Sequence, residues 1–154
     1  MKIVFSVPGN PIPTARPRVV RGPGGFPLAY TPKESLQYQA KVAVFARVAA
    51  RKAGAELPLL GPLRITAAFV RDSNRRCDID NLEKSILDGA TKARIWQDDS
   101  QVVEVHKLKT VDQRFARAEI LIERAVPVAA QDWFRSRLHR PPVGPNNSNP
   151  EIAA

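Results

Sequence analysis

Five side chains carry the chemistry open to this sequence: Asp78 and Asp80, Asp98 and Asp99, and Lys84 between the two pairs. Asp78-Ile79-Asp80 lies where a polar loop enters a helix. Residues two apart in an extended or capping segment point the same way, so both carboxylates can converge on one ion. One helical turn beyond Asp80 is Lys84, and the next is Asp88, on the same face. Asp98-Asp99 comes just after that helix and folds back beside its start only if a strand beginning near Gln101 runs alongside. Adjacent carboxylates repel unless something positive sits between them. Oxygen donors of this kind suit Mg²⁺ or Mn²⁺, hard cations that bind through a few carboxylates and keep several waters. Such an ion polarises a phosphate and activates a water, which is what phosphodiester hydrolysis needs. An ammonium nearby, such as that of Lys84, steadies the charge that develops on phosphate. Zinc chemistry is poorly served, because His106 and His139 have no zinc spacing and Cys77 is a lone thiol.

Each piece also has a plainer role. Asp78 or Asp80 can be a helix N-cap. Asp80 with Lys84, or Lys84 with Asp88, can be a surface ion pair, the preferred reading for Asp88. Asp98-Asp99-Ser100 can be an ordinary polar turn. The first pair alone says little; the downstream pair makes the pattern more specific.

The elements that must position these groups follow from periodicity. Ile3, Phe5 and Val7 alternate in a strand over Lys2–Val7. A proline-rich loop from Pro8 to Pro13 cannot join a ladder, and the loop continues through Arg16, Arg18 and Arg21 to Gly22-Pro23-Gly24-Gly25. Thr31-Pro32-Lys33-Glu34 reads as a capped helix start, with the helix running to about Lys52 and Leu36, Ala40, Val44 and Val48 a turn apart. A second strand spans Leu63–Val70, followed by a polar loop bearing Arg71, Arg75 and Arg76. The second helix covers about Ile79 to Ala93 and buries Leu82, Ile86, Ala90 and Ala93. Strands over Val102–Val111 and Ala116–Glu123 read as a hairpin about Asp112-Gln113-Arg114. The order predicts an α+β fold, a small mixed β-sheet with helices packed on it. Residues 1–124 form the predicted domain. Residues 125–154 form a C-terminal extension, with a short helix near Asp132–Leu138 and then a disordered tail.

The 154 residues suit one domain and a tail, and 44% hydrophobic content supports a core without covalent staples. Lys and Arg number 24 against 15 Asp and Glu, a formal charge of +9 that favours a polyanionic partner. One cysteine excludes an internal disulfide, and no stretch reads as a signal peptide or a membrane span, so the expected location is the cytoplasm.

Asp78-Ile79-Asp80-Asn81-Leu82-Glu83-Lys84, then Asp88, then Trp96-Gln97-Asp98-Asp99-Ser100-Gln101-Val102, resembles the core of the RusA-type Holliday junction resolvase family. The resemblance extends over the context from about Lys2 to Glu123, and Pro11-Ile12-Pro13-Thr14-Ala15-Arg16-Pro17-Arg18 is similar to the family's loop after the first strand. It implies a homodimeric, structure-selective endodeoxyribonuclease that binds four-way DNA junctions and nicks two strands symmetrically with Mg²⁺ or Mn²⁺. By the same resemblance Asp78, Asp80 and Asp99 are the essential metal-binding carboxylates and Lys84 the essential lysine. Asp98 is a neighbouring acidic position, and Asn81 supports the site. Cys77 directly before Asp78, and the Pro- and Asn-rich tail, depart from the family's pattern.

Physically, Arg16, Arg18 and Arg21 on a proline-stiffened loop make a phosphate clamp at low ordering cost. Arg71, Arg75 and Arg76 flank the acidic site, where they can hold the strand to be cut or compensate the aspartates. A junction is roughly two-fold symmetric, and an isologous dimer supplies two equivalent sites, with apolar positions near Val102–Val105 as interface candidates. Two rival readings remain: a non-catalytic basic DNA-binding protein, and a metal-dependent enzyme of small phosphates.

Overall fold

The computed structural model describes residues 1–15, 18–126, 129 and 131–133. Its elements in order are β1 (Lys2–Pro8), β2 (Arg18–Arg21), β3 (Pro27–Tyr30), α1 (Lys33–Lys52), β4 (Leu63–Arg71), α2 (Ile79–Lys92), β5 (Val102–Val111) and β6 (Arg117–Arg124). The main sheet runs β1-β6-β4-β5, and β2 with β3 forms a separate two-stranded ribbon. β6 is antiparallel to β1 and β4, whereas β5 is parallel to β4. The sheet is mixed and carries both helices on one face, as the α+β reading expects. The predicted hairpin does not form, because β4 lies between β5 and β6. The ribbon was legible only as loop, since a short strand such as Arg18-Val19-Val20-Arg21 has too few residues to show a period.

Alternation decides which face is covered. Ile3, Phe5 and Val7 of β1, Ile65, Ala67 and Phe69 of β4, and Ala118, Ile120 and Ile122 of β6 all point into one core. Above them lie Leu82, Ile86 and Ala90 of α2 with Tyr38, Val42, Ala46 and Ala50 of α1, and Trp96 closes one end. Each fully buried Ile, Leu or Phe contributes about 1.5–3 kcal/mol by area. Tyr38 is buried enough that desolvation pushes its phenol well above the ordinary range. On the opposite face Val4 is 68% and Leu108 60% exposed. Arg64, Glu104 and His106 form a linked polar row on that face, with Arg64 to Glu104 at 2.6 Å.

α1 begins one residue later than expected. Pro32 is its N-cap, and Thr31 makes no cap. The stripe of Leu36, Ala40, Val44 and Val48 faces outward, and Ser35, Tyr38, Gln39, Val42, Ala46, Ala49 and Ala50 are buried instead. The reason is proximity: α1 packs so close to α2 that small side chains must fill the seam. Gly89 makes the approach possible, since a Cβ there would sit 2.7 Å from Val42 Cβ and 2.8 Å from the Gln39 carbonyl oxygen. In an open helix Gly→Ala gains roughly 1 kcal/mol of propensity. Here overpacking against backbone, about 1–3 kcal/mol, outweighs it. Gly89→Ala is therefore expected to lower the urea midpoint by the equivalent of about 1–2 kcal/mol; an unchanged or higher midpoint would show that the helices are not in this contact.

α2 ends as predicted. Ala93 is its C-cap, Arg94 takes a left-handed φ of 53°, and the Ile95 N–H returns to the Ala90 carbonyl at 3.0 Å. Of the proposed C-terminal helix, 131–133 are helical, and the remainder falls outside the described residues.

Candidate active site

The loop from β4 delivers Asp78 to the N-cap of α2, in extended backbone at φ −78° and ψ 131°. Its carboxylate makes no capping bond, so the plain N-cap role is not the one it plays. Asp80, in the first turn, is open to solvent and accepts a bond from Lys107 Nζ at 2.5 Å. The same ammonium reaches Glu83, and Lys109 Nζ donates to the Cys77 carbonyl at 2.5 Å. Partial desolvation works against the charge on Lys107, but the bonds and charges of Asp80 and Glu83 outweigh it and hold its pKa above the ordinary value. Lys107, Lys109 and Glu83 were missed from the sequence. Lys107-Leu108-Lys109 reads as the solvent side of a strand, and only the β4–α2–β5 crossover brings it under the helix start.

Lys84 lies one turn further along α2 and contacts Asp88 at 3.3 Å. Asp88 also accepts from Gln39 at 2.9 Å and from the Thr14 hydroxyl at 3.4 Å. It is thus a structural junction, in line with the ion-pair reading preferred for it. Thr14 N–H to the Asn81 carbonyl at 2.9 Å and Ser35 Oγ to the Pro13 carbonyl at 3.1 Å fasten the proline-rich loop beside the helix. Asn81 supports the site here through its backbone.

Asp98 caps, and Asp99 begins, a single 3₁₀ turn, residues Asp99–Gln101, ahead of β5. Asp98 accepts from the Ser100 N–H at 2.9 Å, and hydrogen bonding from the Ser100 side chain first and this N–H second holds its carboxyl below the usual carboxylate range. Gln101 fixes the turn from the other side. It accepts from the Gln97 N–H at 2.9 Å and donates to the carbonyls of Leu59 at 2.9 Å and Gly61 at 3.2 Å. The polar-turn role of Asp98 is therefore real. Asp99 lines one depression together with Lys84, Asp88, Thr91 and Lys92.

The two acidic pairs do not meet within the chain. Because β5 is parallel to β4, its first residue pairs with the start of β4, beneath the end of α2. Asp80 instead meets Lys107, roughly 15 Å further along the strand at about 3.3 Å per residue. A strand does begin beside Gln101, as the sequence required, but it begins at the wrong end of the helix. Among the described residues no three Asp, Glu, His or Cys side chains lie close enough to hold an ion. Among the described residues, the side chains of one chain thus do not gather a ligand set for a divalent cation.

The arginines divide. Arg16 lies outside the described residues, and Arg18 is described by its backbone alone. Arg21 is exposed at the end of β2. Arg71 is only 8% exposed and gives an N–H to the Arg75 carbonyl at 2.6 Å, which shapes the loop leading to Asp78. Its Nε is buried without a partner among the described residues. Arg75 and Arg76 are exposed on that loop, and Arg75 shares a polar depression with Asn10, Asp72, Ser73 and Gln113. No helix among the described residues is long and apolar enough to cross a membrane.

The family model described as Endodeoxyribonuclease RusA matches residues 8–123. The crossover junction endodeoxyribonuclease RusA of Escherichia coli strain K12 is 36% identical over 67 residues, 44% of this chain and 56% of the relative. Proteins of the same name from Shigella sonnei strain Ss046 and Enterobacteria phage 82 match with the same identity, 36% over 67 residues. The chain thus spans a little over half the length of the curated relatives it matches, 56%.

Proposed function

Since this chain belongs to the endodeoxyribonuclease RusA family, we propose that it is a structure-selective endodeoxyribonuclease that resolves four-way DNA junctions by metal-dependent phosphodiester hydrolysis. The observation that carries this is the family match over the segment holding Asp78, Asp80, Lys84, Asp98 and Asp99. A net charge of +9 supports a polyanionic substrate. Mg²⁺ or Mn²⁺ is the proposed cofactor, supplying a polarised phosphate and an activated water when bound. Arg16, Arg18, Arg21, Arg75 and Arg76 are proposed to contact the DNA backbone. Arg71 is proposed to act through the loop it holds.

The working unit is proposed to be a homodimer, and the geometry of one chain gives the reason. Both acidic pairs belong to the family motif, yet they stand at opposite ends of α2. An isologous two-fold axis beside the middle of β5 brings opposite ends of two copies together. Asp78 and Asp80 would then share an ion with Asp99 of the partner subunit. β5 is an edge strand with Val103 63%, Leu108 60% and Val111 43% exposed, and an open edge with apolar side chains is a ready pairing surface.

The direct test is a labelled synthetic four-way junction incubated with wild type or Asp80→Asn, with Mg²⁺ or EDTA. Symmetric paired nicks are expected only with wild type plus metal. Asp80→Asn is expected to bind the junction as well as wild type or better, because a carboxylate that repels phosphate is gone. Binding without cutting by the wild type would favour a DNA-binding module, and no preference for junction over plain duplex would favour a small-phosphate enzyme.

A further inference from the structure

The depression that holds Lys84 and Asp99 does not end at the acidic groups. Lys92, at the last turn of α2, lines it and also lines a second depression with Ala43, Val44, Arg47 and Arg94. Arg47 in turn lines a third, with Arg51, Ala55 and Leu57. The three are continuous through shared residues, and no carboxylate lines the second or the third. Glu56 is next in sequence to two lining residues but does not line the depression itself. Lys92, Arg94, Arg47 and Arg51 are all exposed.

Two of these cations, Lys92 and Arg47, are held in place by side-chain bonds. Lys92 Nζ donates to Gln39 Oε1, and Gln39 is buried and also donates to Asp88, so the ammonium is fixed to the floor of the candidate site. Arg47 Nε donates to the Ala93 carbonyl at 2.9 Å, which ties α1 to the end of α2. Arg94 stands at φ 53°, where glycine or asparagine is relaxed and a long side chain is strained.

We propose that Lys92, Arg94, Arg47 and Arg51 form a backbone track that carries one duplex arm of the substrate away from the point of cutting. This rests on the nuclease reading above and adds the surface that holds the arm. From Gln39, at the site, to Arg51 the helix rises about 18 Å at 1.5 Å per residue. That is the length of about five base pairs at 3.4 Å each. Contacts along the track are to phosphate, so they add affinity without sequence preference.

The test is the salt dependence of binding to a four-way junction with long arms, together with a hydroxyl-radical footprint. The variant is Lys92→Gln/Arg94→Gly/Arg51→Gln; Arg47 is left intact because its bond to Ala93 is structural. Each lost phosphate contact lowers the slope of log K against log salt by about 0.9, so a fall of two to three is expected. Binding at moderate salt should weaken about tenfold or more, and protection should shorten by several base pairs on one arm of each symmetric pair. Arg94→Gly relieves the strained backbone, so thermal unfolding of the triple variant no lower than that of wild type is expected and would show that the surface tolerates change. An unchanged slope and footprint, with wild type binding and cutting the junction, would overturn the track alone. A wild type that neither binds nor cuts branched DNA would overturn the nuclease reading, and the track with it.

Discussion

An equimolar mixture of Asp80→Asn and Asp99→Asn chains is expected to nick a four-way junction that neither variant cuts alone. Each proposed site takes Asp80 from one chain and Asp99 from the other. In a mixed dimer one site then combines both altered residues, and its twin combines two native ones. Random exchange makes roughly half of the dimers mixed, each with one intact site, so about a quarter of wild-type sites return. The product should be single nicks rather than paired cuts. If each chain builds its site from its own residues, every site in the mixture carries one substitution and nothing is recovered. Recovery requires exchange of subunits, which co-expression of the two tagged variants guarantees. A strictly monomeric mass in the presence of junction DNA would remove the idea from the other side.

Loss of Lys84 is expected to be almost as severe. Lys84→Gln should slow nicking by about 10²–10³-fold under single-turnover conditions with protein in excess, the usual effect of removing one group that stabilises developing charge. Folding should barely notice. Lys84 is half exposed and its bond to Asp88 is a helix-surface ion pair at 3.3 Å, a class worth a few tenths of a kcal/mol. Junction binding should lose at most about one unit of salt slope, the share of a single phosphate contact. Lys84→Arg keeps the charge and should recover part of the rate. A rate for Lys84→Gln within a few-fold of wild type would leave this lysine a surface residue and nothing more.

How much of this was legible in the sequence depends on the range of the interaction. α2 was legible nearly to the residue, because Leu82, Ile86, Ala90 and Ala93 repeat at helical spacing and all prove buried. The strands β1, β4, β5 and β6 were legible as strands from alternation, but not their pairing. Alternation fixes the face a residue takes and leaves the neighbour open, so β5 and β6 looked like a hairpin and are not one. On α1 the stripe of Leu36, Ala40, Val44 and Val48, though at helical spacing, faces outward. Close packing against Gly89 selects side chains by size, which a pattern of hydrophobicity does not record.

The candidate site divides in the same way. Asp78, Asp80, Lys84, Asp98 and Asp99 could be picked out from residue type and spacing. Their mutual placement turns on whether β5 runs parallel or antiparallel to β4, and local sequence is silent on that. Lys107 and Glu83 were invisible for the same reason, being far apart in sequence from the groups they touch or plain in context. The turn role of Gln101 could not be foreseen either, since its partners Leu59 and Gly61 come from another part of the chain.

The parallel pairing of β4 and β5 has a consequence for a cell that makes such a protein. On the shared-site proposal a lone chain assembles no cutting centre, so freshly made protomers at low copy number would leave chromosomal DNA untouched. Cleavage would set in with the square of abundance in the dilute range, which restrains a nuclease by scarcity without any inhibitor.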